Sequence, residues 1–301
     1  MAIYLGIDGG GTKTTCVVAD EHSVLGSATS GGSNITRLGE ARVQESLRAA
    51  VLEACGAARI DPGQVKNACV GLSGAGRAEV RDAVARMMAE IVGGHVRVVS
   101  DLETTLEAAF GGGPGVIVIG GTGSIAYGRD ANGRTARAGG WGLAISDEGS
   151  GEWIGRAAVS AVLSAKDAGE DPPLLAEILK LWRLSTLDEL VRHANASPPP
   201  DFASLFPSVL KAADAGETSA LKVLRGAGTA LAGLVNNVIG RLFADSKDVP
   251  VAMSGGVFRQ SELVRKVFYN DVVAAHPFAR VQSGVVDPVA GALALARKER
   301  A

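Results

Sequence analysis

Aromatic residues, cysteines and histidines are all scarce in this chain of 301 residues. Aromatic side chains make up 4% of it, and there are 3 cysteines and 4 histidines. Cys16, Cys55 and Cys69 form no Cys-x-x-Cys pair, and no two histidines stand four residues apart. A zinc site built from such ligands is therefore not expected, and the unpaired cysteines are typical of a reducing compartment.

An excess of charge and a long apolar run are also missing. The chain has 30 Lys+Arg against 32 Asp+Glu, a net charge of −2, so it lacks the basic surface of a nucleic-acid-binding protein. No apolar run approaches the roughly 18 residues of a membrane span, and the N-terminus has no basic region typical of a signal peptide. We therefore expect a cytoplasmic location, with no nucleic-acid or membrane partner.

The residues that are present predict a folded α/β protein. Hydrophobic residues make up 47% and charged residues 21%, and 40 glycines punctuate the chain. The length favours two domains over one. A strand, a glycine-rich hairpin and a second strand occur at 3–19 and again at 116–129, an echo that two similar domains would produce.

Further strands and helices are predicted from residue spacing and from turn signals. Strands are expected at 24–29, 68–72, 96–99 and 249–253. Helices are expected at 40–57, 102–110, 152–164, 174–181, 187–194, 216–244 and 288–298.

The first glycine-rich loop, Asp8-Gly9-Gly10-Gly11-Thr12-Lys13, suits a polyphosphate. Glycines let backbone N–H groups approach an anion, and Thr12 and Lys13 add donors. The loop is not a Walker A motif, since no Gly is followed by Lys, and Thr14 replaces the third glycine of a Rossmann fingerprint. Asp8 is placed to orient the hydration shell of Mg²⁺. The alternative is an ordinary glycine-rich hairpin.

The second loop, 120–124, has two interpretations. Gly121, Gly123 and Ala126 fit a loose dinucleotide-binding pattern, which requires a helix next. The Asn132-Gly133 turn signal instead predicts a further strand, so we favour a hairpin that holds phosphate.

Asp101 follows a predicted strand and begins a predicted helix. A general base for phosphoryl transfer suits this position, but so does an acidic residue that is there only for the helix dipole. The local sequence does not decide between them.

Two further glycine-rich segments are candidates for ligand contact. Trp141 among glycines, followed by Asp147 and Glu148, offers an apolar face and acceptors for sugar hydroxyls, although a solvated turn would look similar. Ser254-Gly255-Gly256 leaves room for a nucleoside, although a plain strand-to-helix turn is nearly as good an interpretation.

Taken in order, these segments resemble the sugar kinase/Hsp70/actin superfold, and within it the N-acetylglucosamine kinase branch of the BadF/BadG/BcrA/BcrD ATPase family. The matching segments are GIDGGGTKT (6–14), SGGSN (30–34), SD (100–101), GGTGSIAYGR (120–129), GGWG (139–142), SDEGSGEWIG (146–155) and SGGVF (254–258). The resemblance implies two ribonuclease-H-like α/β domains with an interdomain cleft for Mg·ATP and a sugar. The domains are expected at 1–113, with a closing helix at about 287–301 packing back on this first domain, and at 114–286.

The resemblance also implies roles for individual residues. Asp101 would be the catalytic base and would contact the sugar, and Asp8 would serve Mg²⁺ through water. The ATP-binding positions would be Gly10, Gly11, Thr12, Lys13, Gly121, Thr122, Gly123, Ser254, Gly255 and Gly256. The other sugar-binding positions would be Asn34, Gly140, Trp141 and Asp147.

The implied activity is phosphorylation of N-acetylglucosamine at its 6-hydroxyl, with homodimerisation a further expectation. Glucosamine and N-acetylmuramic acid are the alternative acceptors, and Ser146, where this branch commonly has Gly, leaves the exact sugar open. An ATPase activator of a reductase or dehydratase is the main rival, but it needs cysteines in ligating loops for its iron–sulfur cluster. A sugar sensor without catalysis is a third possibility.

Overall fold

The computed structural model describes residues 2–299. They form two compact units, one of residues up to Ile117 together with those from Val286 onward, and one of Val118–Val285. The domain limits 1–113 and 114–286 stay a prediction. Within residues 2–299, no helix is both long enough and apolar enough to cross a membrane.

In the part of the chain that the structure describes, ten strands build two five-stranded sheets. They are β1 (Ile3–Gly9), β2 (Lys13–Ala19), β3 (Val24–Gly31), β4 (Val65–Leu72), β5 (His95–Ser100), β6 (Gly115–Gly120), β7 (Ser124–Arg129), β8 (Thr135–Gly139), β9 (Val249–Ser254) and β10 (Ala279–Val286).

Twelve α-helices accompany these strands in the described residues. They are α1 (Ile35–Leu38), α2 (Glu40–Ala58), α3 (Ala78–Ala89), α4 (Asp101–Phe110), α5 (Gly151–Asp167), α6 (Pro173–Trp182), α7 (Leu187–Ala194), α8 (Phe206–Asp214), α9 (Thr218–Leu242), α10 (Gly256–Gln260), α11 (Glu262–Ala275) and α12 (Pro288–Lys298). Short 3₁₀ helices lie at Pro62–Gln64 and Phe202–Leu205.

The two sheets have the same strand order. The first is β3-β2-β1-β4-β5, and the second, read from its other edge, is β8-β7-β6-β9-β10. In the first sheet β1, β4 and β5 are parallel, while β2 is antiparallel to both β1 and β3. β7 and β8 pair as an antiparallel hairpin, so the strand prediction after the second loop is confirmed and the dinucleotide turn is excluded. The two five-stranded sheets and the helices that connect their strands confirm the predicted α/β fold class.

One face of the first sheet is covered by α2 and α3. Val43, Leu47 and Val51 of α2 are fully buried, as their helical spacing predicts. Leu52 shares that spacing but remains 47% exposed, because it lies one residue beyond the buried stripe. The burial of these apolar side chains is the main favourable term in the stability of this layer.

The opposite face of the first sheet receives α12 and α4, which approach so closely that glycine is required. A Cβ on Gly6 of β1 would lie 2.6 Å from the Leu293 nitrogen, and one on Gly291 would lie 1.9 Å from the Thr104 carbonyl oxygen. The Asn67 side chain of β4 also donates to the Ala296 carbonyl at 3.2 Å. The chain's last described helix is therefore an integral part of the first unit.

In the second unit, α9 packs closely against the end of β8, and α5 packs closely against the 3₁₀ helix Phe202–Leu205. A Cβ on Gly139 would lie 3.1 Å from the Leu234 side chain of α9, and one on Gly155 of α5 would lie 1.9 Å from the Phe202 carbonyl oxygen. These close approaches leave little freedom for either helix to shift against its neighbours.

We expect Gly291→Ala to lower the free energy of unfolding by about 2 kcal/mol, because α12 must move away from α4 to accommodate the methyl group. Thermal unfolding followed by circular dichroism checks this. Gly233→Ala is the matched control, since it is also a helical glycine but a methyl group there would meet no heavy atom of another element within 4 Å. That control should raise stability by about 0.5–1 kcal/mol, and equal effects of the two changes would contradict the prediction.

Candidate active site

The first glycine-rich hairpin connects β1 to β2 at the carboxyl end of β1. The Gly10 N–H donates to the Lys13 carbonyl at 2.9 Å, and the Gly10 carbonyl accepts from the Ser33 N–H at 2.9 Å. Thr12 and Lys13 are exposed at the tip. The backbone therefore closes the turn and presents the side chains of Thr12 and Lys13 to solvent.

The glycines of this hairpin have different roles. A Cβ on Gly9 would lie 2.1 Å from both the Leu72 Cδ2 and the Ser33 Oγ, whereas one on Gly10 would have no neighbour nearer than the Lys13 oxygen at 3.7 Å. Gly9 is thus required for packing, and Gly10 leaves open space beside the turn.

Asn34 and Ser73 form a polar group beside the hairpin. The Asn34 Nδ2 donates to the Ser73 Oγ at 3.4 Å, and the Ser73 N–H donates to the Gly9 carbonyl at 3.0 Å. The Asn34 Oδ1 caps α1 by accepting from the Arg37 N–H at 3.2 Å. Ser73 is not among the site residues predicted from the sequence. The one sequence feature that could have indicated it is its position directly after β4.

Asp101 begins α4 at the carboxyl end of β5. Ser100, its neighbour, pairs with Leu72 of β4 and caps α4 by accepting from the Glu103 N–H at 3.3 Å. The Glu103 carboxylate lies 3.9 Å from the Arg97 guanidinium. Since Leu72 also pairs with Gly9, Asp101 lies at the sheet edge that carries the first hairpin.

Asp101 is half-buried, and desolvation of its carboxylate raises its pKa from 3.8 to about 6, although the backbone N–H groups of Leu102 and Asp101 donate to it and lower the pKa. The desolvation effect therefore exceeds that of the two hydrogen bonds. A carboxylate with this pKa is deprotonated at neutral pH and can accept a proton efficiently. This environment distinguishes Asp101 from an ordinary acidic residue in a first helical turn.

The second hairpin is joined to the start of α5. The Gly121 N–H donates to the Gly123 carbonyl at 2.9 Å, and this closes the turn. The Gly151 N–H then donates to the Gly121 carbonyl at 2.8 Å, and the Glu152 N–H to the Thr122 carbonyl at 3.3 Å. The hairpin and the first turn of α5 are therefore one structural element.

Asp147 lies against this hairpin in an unusual conformation. Its φ is 67°, it is 5% exposed, and the N–H groups of Gly142 and Ser124 donate to its carboxylate. Burial, with a smaller contribution from Glu148, raises its pKa. Its Oδ1 is buried without a hydrogen-bond partner, so one acceptor of this carboxylate is left unsatisfied.

Trp141 is 63% exposed, although it is a large aromatic residue. It stands between Gly140 (φ 68°) and Gly142 (φ 107°), and a Cβ on Gly140 would lie 2.5 Å from the Ile125 Cδ1. The Arg137 guanidinium carbon lies 4.2 Å from the Trp141 ring centroid. The indole is thus held at the surface as an apolar face of the kind that a sugar ring can contact.

The third glycine segment lies where β9 ends. Gly255 has a φ of 101°, and its Cβ would lie 2.2 Å from the Gly120 carbonyl oxygen at the end of β6. Only glycine fits there, and α10 begins at the next residue, Gly256. Ser254 is buried. The segment is thus located beside the second hairpin.

Each unit therefore contains some of the candidate residues. In the first unit, Asn34 is linked to the 8–13 hairpin through hydrogen bonds of Ser73, and Asp101 lies on the same sheet edge. In the second unit, a Cβ on Gly123 would lie 2.7 Å from the Asp147 Oδ2, and Gly255 contacts Gly120. Roles for these residues stay predictions.

All three cysteines are buried. Burial raises the pKa of the Cys69 thiol to about 12, and it also raises the pKa of Cys16 and Cys55. Cys16 lies in β2, Cys55 in α2 and Cys69 in β4, as predicted. Their location within packed elements is typical of structural cysteines, not of loop ligands to a cluster.

Comparison with known proteins gives consistent results. The model of the BadF/BadG/BcrA/BcrD ATPase family matches residues 5–296. The chain is 32% identical to an N-acetylmuramic acid/N-acetylglucosamine kinase of Clostridium acetobutylicum, over 99% of each chain. It is 30% identical to an N-acetyl-D-glucosamine kinase of Dictyostelium discoideum, over 98% of this chain and 97% of the other.

A solved structure has the same fold. A candidate N-acetylglucosamine kinase from Chromobacterium violaceum superimposes with a TM-score of 0.78 at 27% identity, covering 99% of both chains. The expected sugar-kinase fold type is thereby confirmed.

The raised pKa of Asp101 predicts an effect on stability. Because the folded protein holds this proton more tightly than the unfolded chain, stability from this group falls as pH rises from about 4 to about 6. Asp101→Asn removes the charge, so at pH 8 we expect it to raise the free energy of unfolding by an amount on the order of 1–2 kcal/mol, and at pH 4 to have little effect.

Thermal unfolding at both pH values measures this difference. Asp82→Asn, at an exposed position on α3, is the control and should change little at either pH. A variant at position 101 that is less stable than the wild type at pH 8 would show that the carboxylate is stabilising and that this account of its burial is wrong.

Proposed function

Because the chain belongs to the BadF/BadG/BcrA/BcrD ATPase family, we propose that it is an ATP-dependent amino-sugar kinase. N-acetylglucosamine is the first-choice acceptor, phosphorylated at its 6-hydroxyl. Glucosamine and N-acetylmuramic acid are the alternatives, and the curated relatives are named for kinases of these sugars.

The observation that carries this proposal is the environment of Asp101. Its carboxylate has a pKa of about 6 and lies at the sheet edge that also carries the first hairpin and Asn34. In the proposed reaction it accepts the proton of the attacking sugar hydroxyl as the oxygen bonds to the γ-phosphorus of ATP, and ADP leaves with the pair of electrons of the broken bond.

The two hairpins are proposed to hold the phosphates of ATP. In the first, Gly10, Gly11, Thr12 and Lys13 would line them, with the Lys13 ammonium as a positive point charge. In the second, the corresponding positions are Gly121, Thr122 and Gly123. Ser254, Gly255 and Gly256 would approach the adenosine, a role supported by the contact of Gly255 with the end of β6.

Asp8 is proposed to serve Mg²⁺ through bound water. Its carboxylate stands at the end of β1, directly before the hairpin. Within residues 2–299 no group of three or more His, Cys, Asp or Glu could hold a metal alone. A single carboxylate such as that of Asp8 fits Mg²⁺, which commonly keeps several waters and binds one or two carboxylates together with substrate phosphates. When bound, the ion would neutralise charge that develops on the phosphates.

Asn34, Gly140, Trp141 and Asp147 are proposed to bind the sugar. The Asp147 carboxylate would accept a hydroxyl hydrogen bond, and Trp141 would contact an apolar face of the ring. Asn34 is held by Ser73, so its amide is oriented before the sugar binds. Orientation of the acceptor hydroxyl, together with exclusion of water as a competing acceptor, would favour transfer to the sugar over hydrolysis.

An ATPase activator is the second candidate. It is disfavoured because all three cysteines are buried within strands and a helix. A non-catalytic sensor is disfavoured by the presence of Asp101. Homodimerisation and a cytoplasmic location remain predictions from the resemblance and the composition.

The test is ADP release from Mg·ATP with N-acetylglucosamine, glucosamine, N-acetylmuramic acid, glucose or no sugar. We expect one amino sugar to raise the rate well above the rate without sugar. Hydrolysis that is independent of sugar would support the activator, and purified protein with the brown colour of an iron–sulfur cluster would support it further.

Asp101→Asn should reduce sugar-dependent turnover about 10²–10⁴-fold while ATP binding and the fold are retained. The wild-type kcat/KM should fall about tenfold per pH unit below pH 6, since the base must be deprotonated. Turnover retained by this variant would identify a different base.

A further inference from the structure

A cavity of about 460 Å³ lies in the second unit, beside the end of β8 and the C-terminal half of α9. Arg137, Trp141, Asn236, Asn237 and Arg241 are the polar and aromatic residues that line it. Its volume lies within the range of small-molecule sites and is sufficient for a monosaccharide substituent. Trp141 also belongs to the segment that we propose to contact the sugar.

Two arginines give this cavity a positive character. The Arg137 guanidinium stacks on the Trp141 ring at 4.2 Å, and the Arg241 Nη1 donates to the Arg137 carbonyl at 2.9 Å. Both contacts orient a guanidinium without neutralising it. The residues lining the cavity, all within the described part of the chain, include no carboxylate. A site of this composition favours an anion, and guanidinium groups match the two oxygens of a carboxylate.

The same cavity offers a hydrogen-bond acceptor. The Asn236 side chain lines the cavity and its Oδ1 has no hydrogen-bond partner, so a small shift of this side chain would let the oxygen accept from a hydroxyl or an amide N–H of a ligand. The exposed face of Trp141 suits an apolar part of that ligand. The complementary molecule therefore combines a carboxylate, a donor group and an apolar face.

We propose that this cavity binds the carboxylate of an acidic amino sugar, of which N-acetylmuramic acid with its lactyl ether is the example, and that Arg137 and Arg241 determine this specificity. The inference rests on the proposed function, because Trp141 is the residue shared between the cavity and the proposed sugar site. A neutral amino sugar would leave the two guanidinium groups without a counter-charge, so acidic and neutral sugars should respond differently to changes in the cavity wall.

Calorimetric titration with N-acetylmuramic acid and N-acetylglucosamine tests this proposal without requiring catalysis. In Arg241→Gln we expect the affinity ratio of the acidic to the neutral sugar to fall by about two- to fivefold, the effect of losing one solvent-accessible ion pair. Arg241→Lys keeps the charge and should restore part of the ratio. Arg192→Gln, at an exposed position on α7, removes the same charge elsewhere in the unit and should leave the ratio unchanged.

Asn237→Asp is the second variant, because Arg241 also supports β8 and its loss could disturb the fold. Asn237 is exposed, so the nearly isosteric carboxylate should not affect folding, but it would repel an acidic sugar from the same wall. We expect the ratio to fall in this variant too, and the fall to weaken as salt is added.

Several outcomes would overturn the proposal. These are a wild-type protein that does not bind N-acetylmuramic acid, a ratio unchanged in both Arg241→Gln and Asn237→Asp, and displacement of the acidic sugar by inorganic phosphate at equal concentration, which would indicate a general anion site. If the wild type binds the acidic sugar with the expected variant pattern but transfers no phosphate to any sugar, the proposed function fails and the binding site stands.

Discussion

Desolvation of the half-buried Asp101 carboxylate is an unfavourable contribution to stability, which the packing of the first unit must offset. Two backbone N–H groups donate to this carboxylate, yet desolvation still raises its pKa to about 6. Asp101 is the first residue of α4, and the Thr104 and Thr105 hydroxyls of this helix donate to the Asp101 carbonyl at 3.0 and 2.6 Å. Gly291 of α12 packs against Thr104 of α4. The last described helix of the chain therefore helps to hold α4, the helix that begins at Asp101.

The two sheets share a strand order, but their hairpins are stabilised differently. In the first, the Gly10 carbonyl accepts from Ser33 after β3, so the neighbouring loop supports the turn. In the second, the first N–H groups of α5 take this role at Gly121 and Thr122. The same local motif therefore depends on a loop in one unit and on a helix start in the other.

Much of this architecture follows from local sequence. The two hairpins, the buried stripe of α2, the Ser100 cap of α4 and the break after β9 all depend on residues close together in the chain, and all are predictable. By contrast, α3, α8, α11 and β10 are not predicted from local sequence. The α3 helix has no side-chain cap, and β10 is a half-exposed edge strand without apolar alternation.

The candidate residues can be chosen from motifs, but their environment cannot. The orphaned Oδ1 of Asp147, the exposure of Trp141 and the position of Ser73 beside Asn34 arise from contacts between segments that local patterns do not connect. The cavity wall is equally hard to predict from local sequence, because Arg241 on α9 donates to Arg137 on β8, which lies 104 residues earlier in the sequence. Pairings of this kind depend on tertiary packing, to which local propensity contributes little.

The bonds from Gly151 and Glu152 to the second hairpin have a consequence for how this loop can change. An α-helix begins with N–H groups that its own turns cannot satisfy, and here two of them are used by the carbonyls of Gly121 and Thr122. Adding or removing one residue in the hairpin would shift both carbonyls out of reach and leave the helix start unsatisfied. The length of the loop is therefore set by the geometry of α5, independently of any nucleotide that it holds.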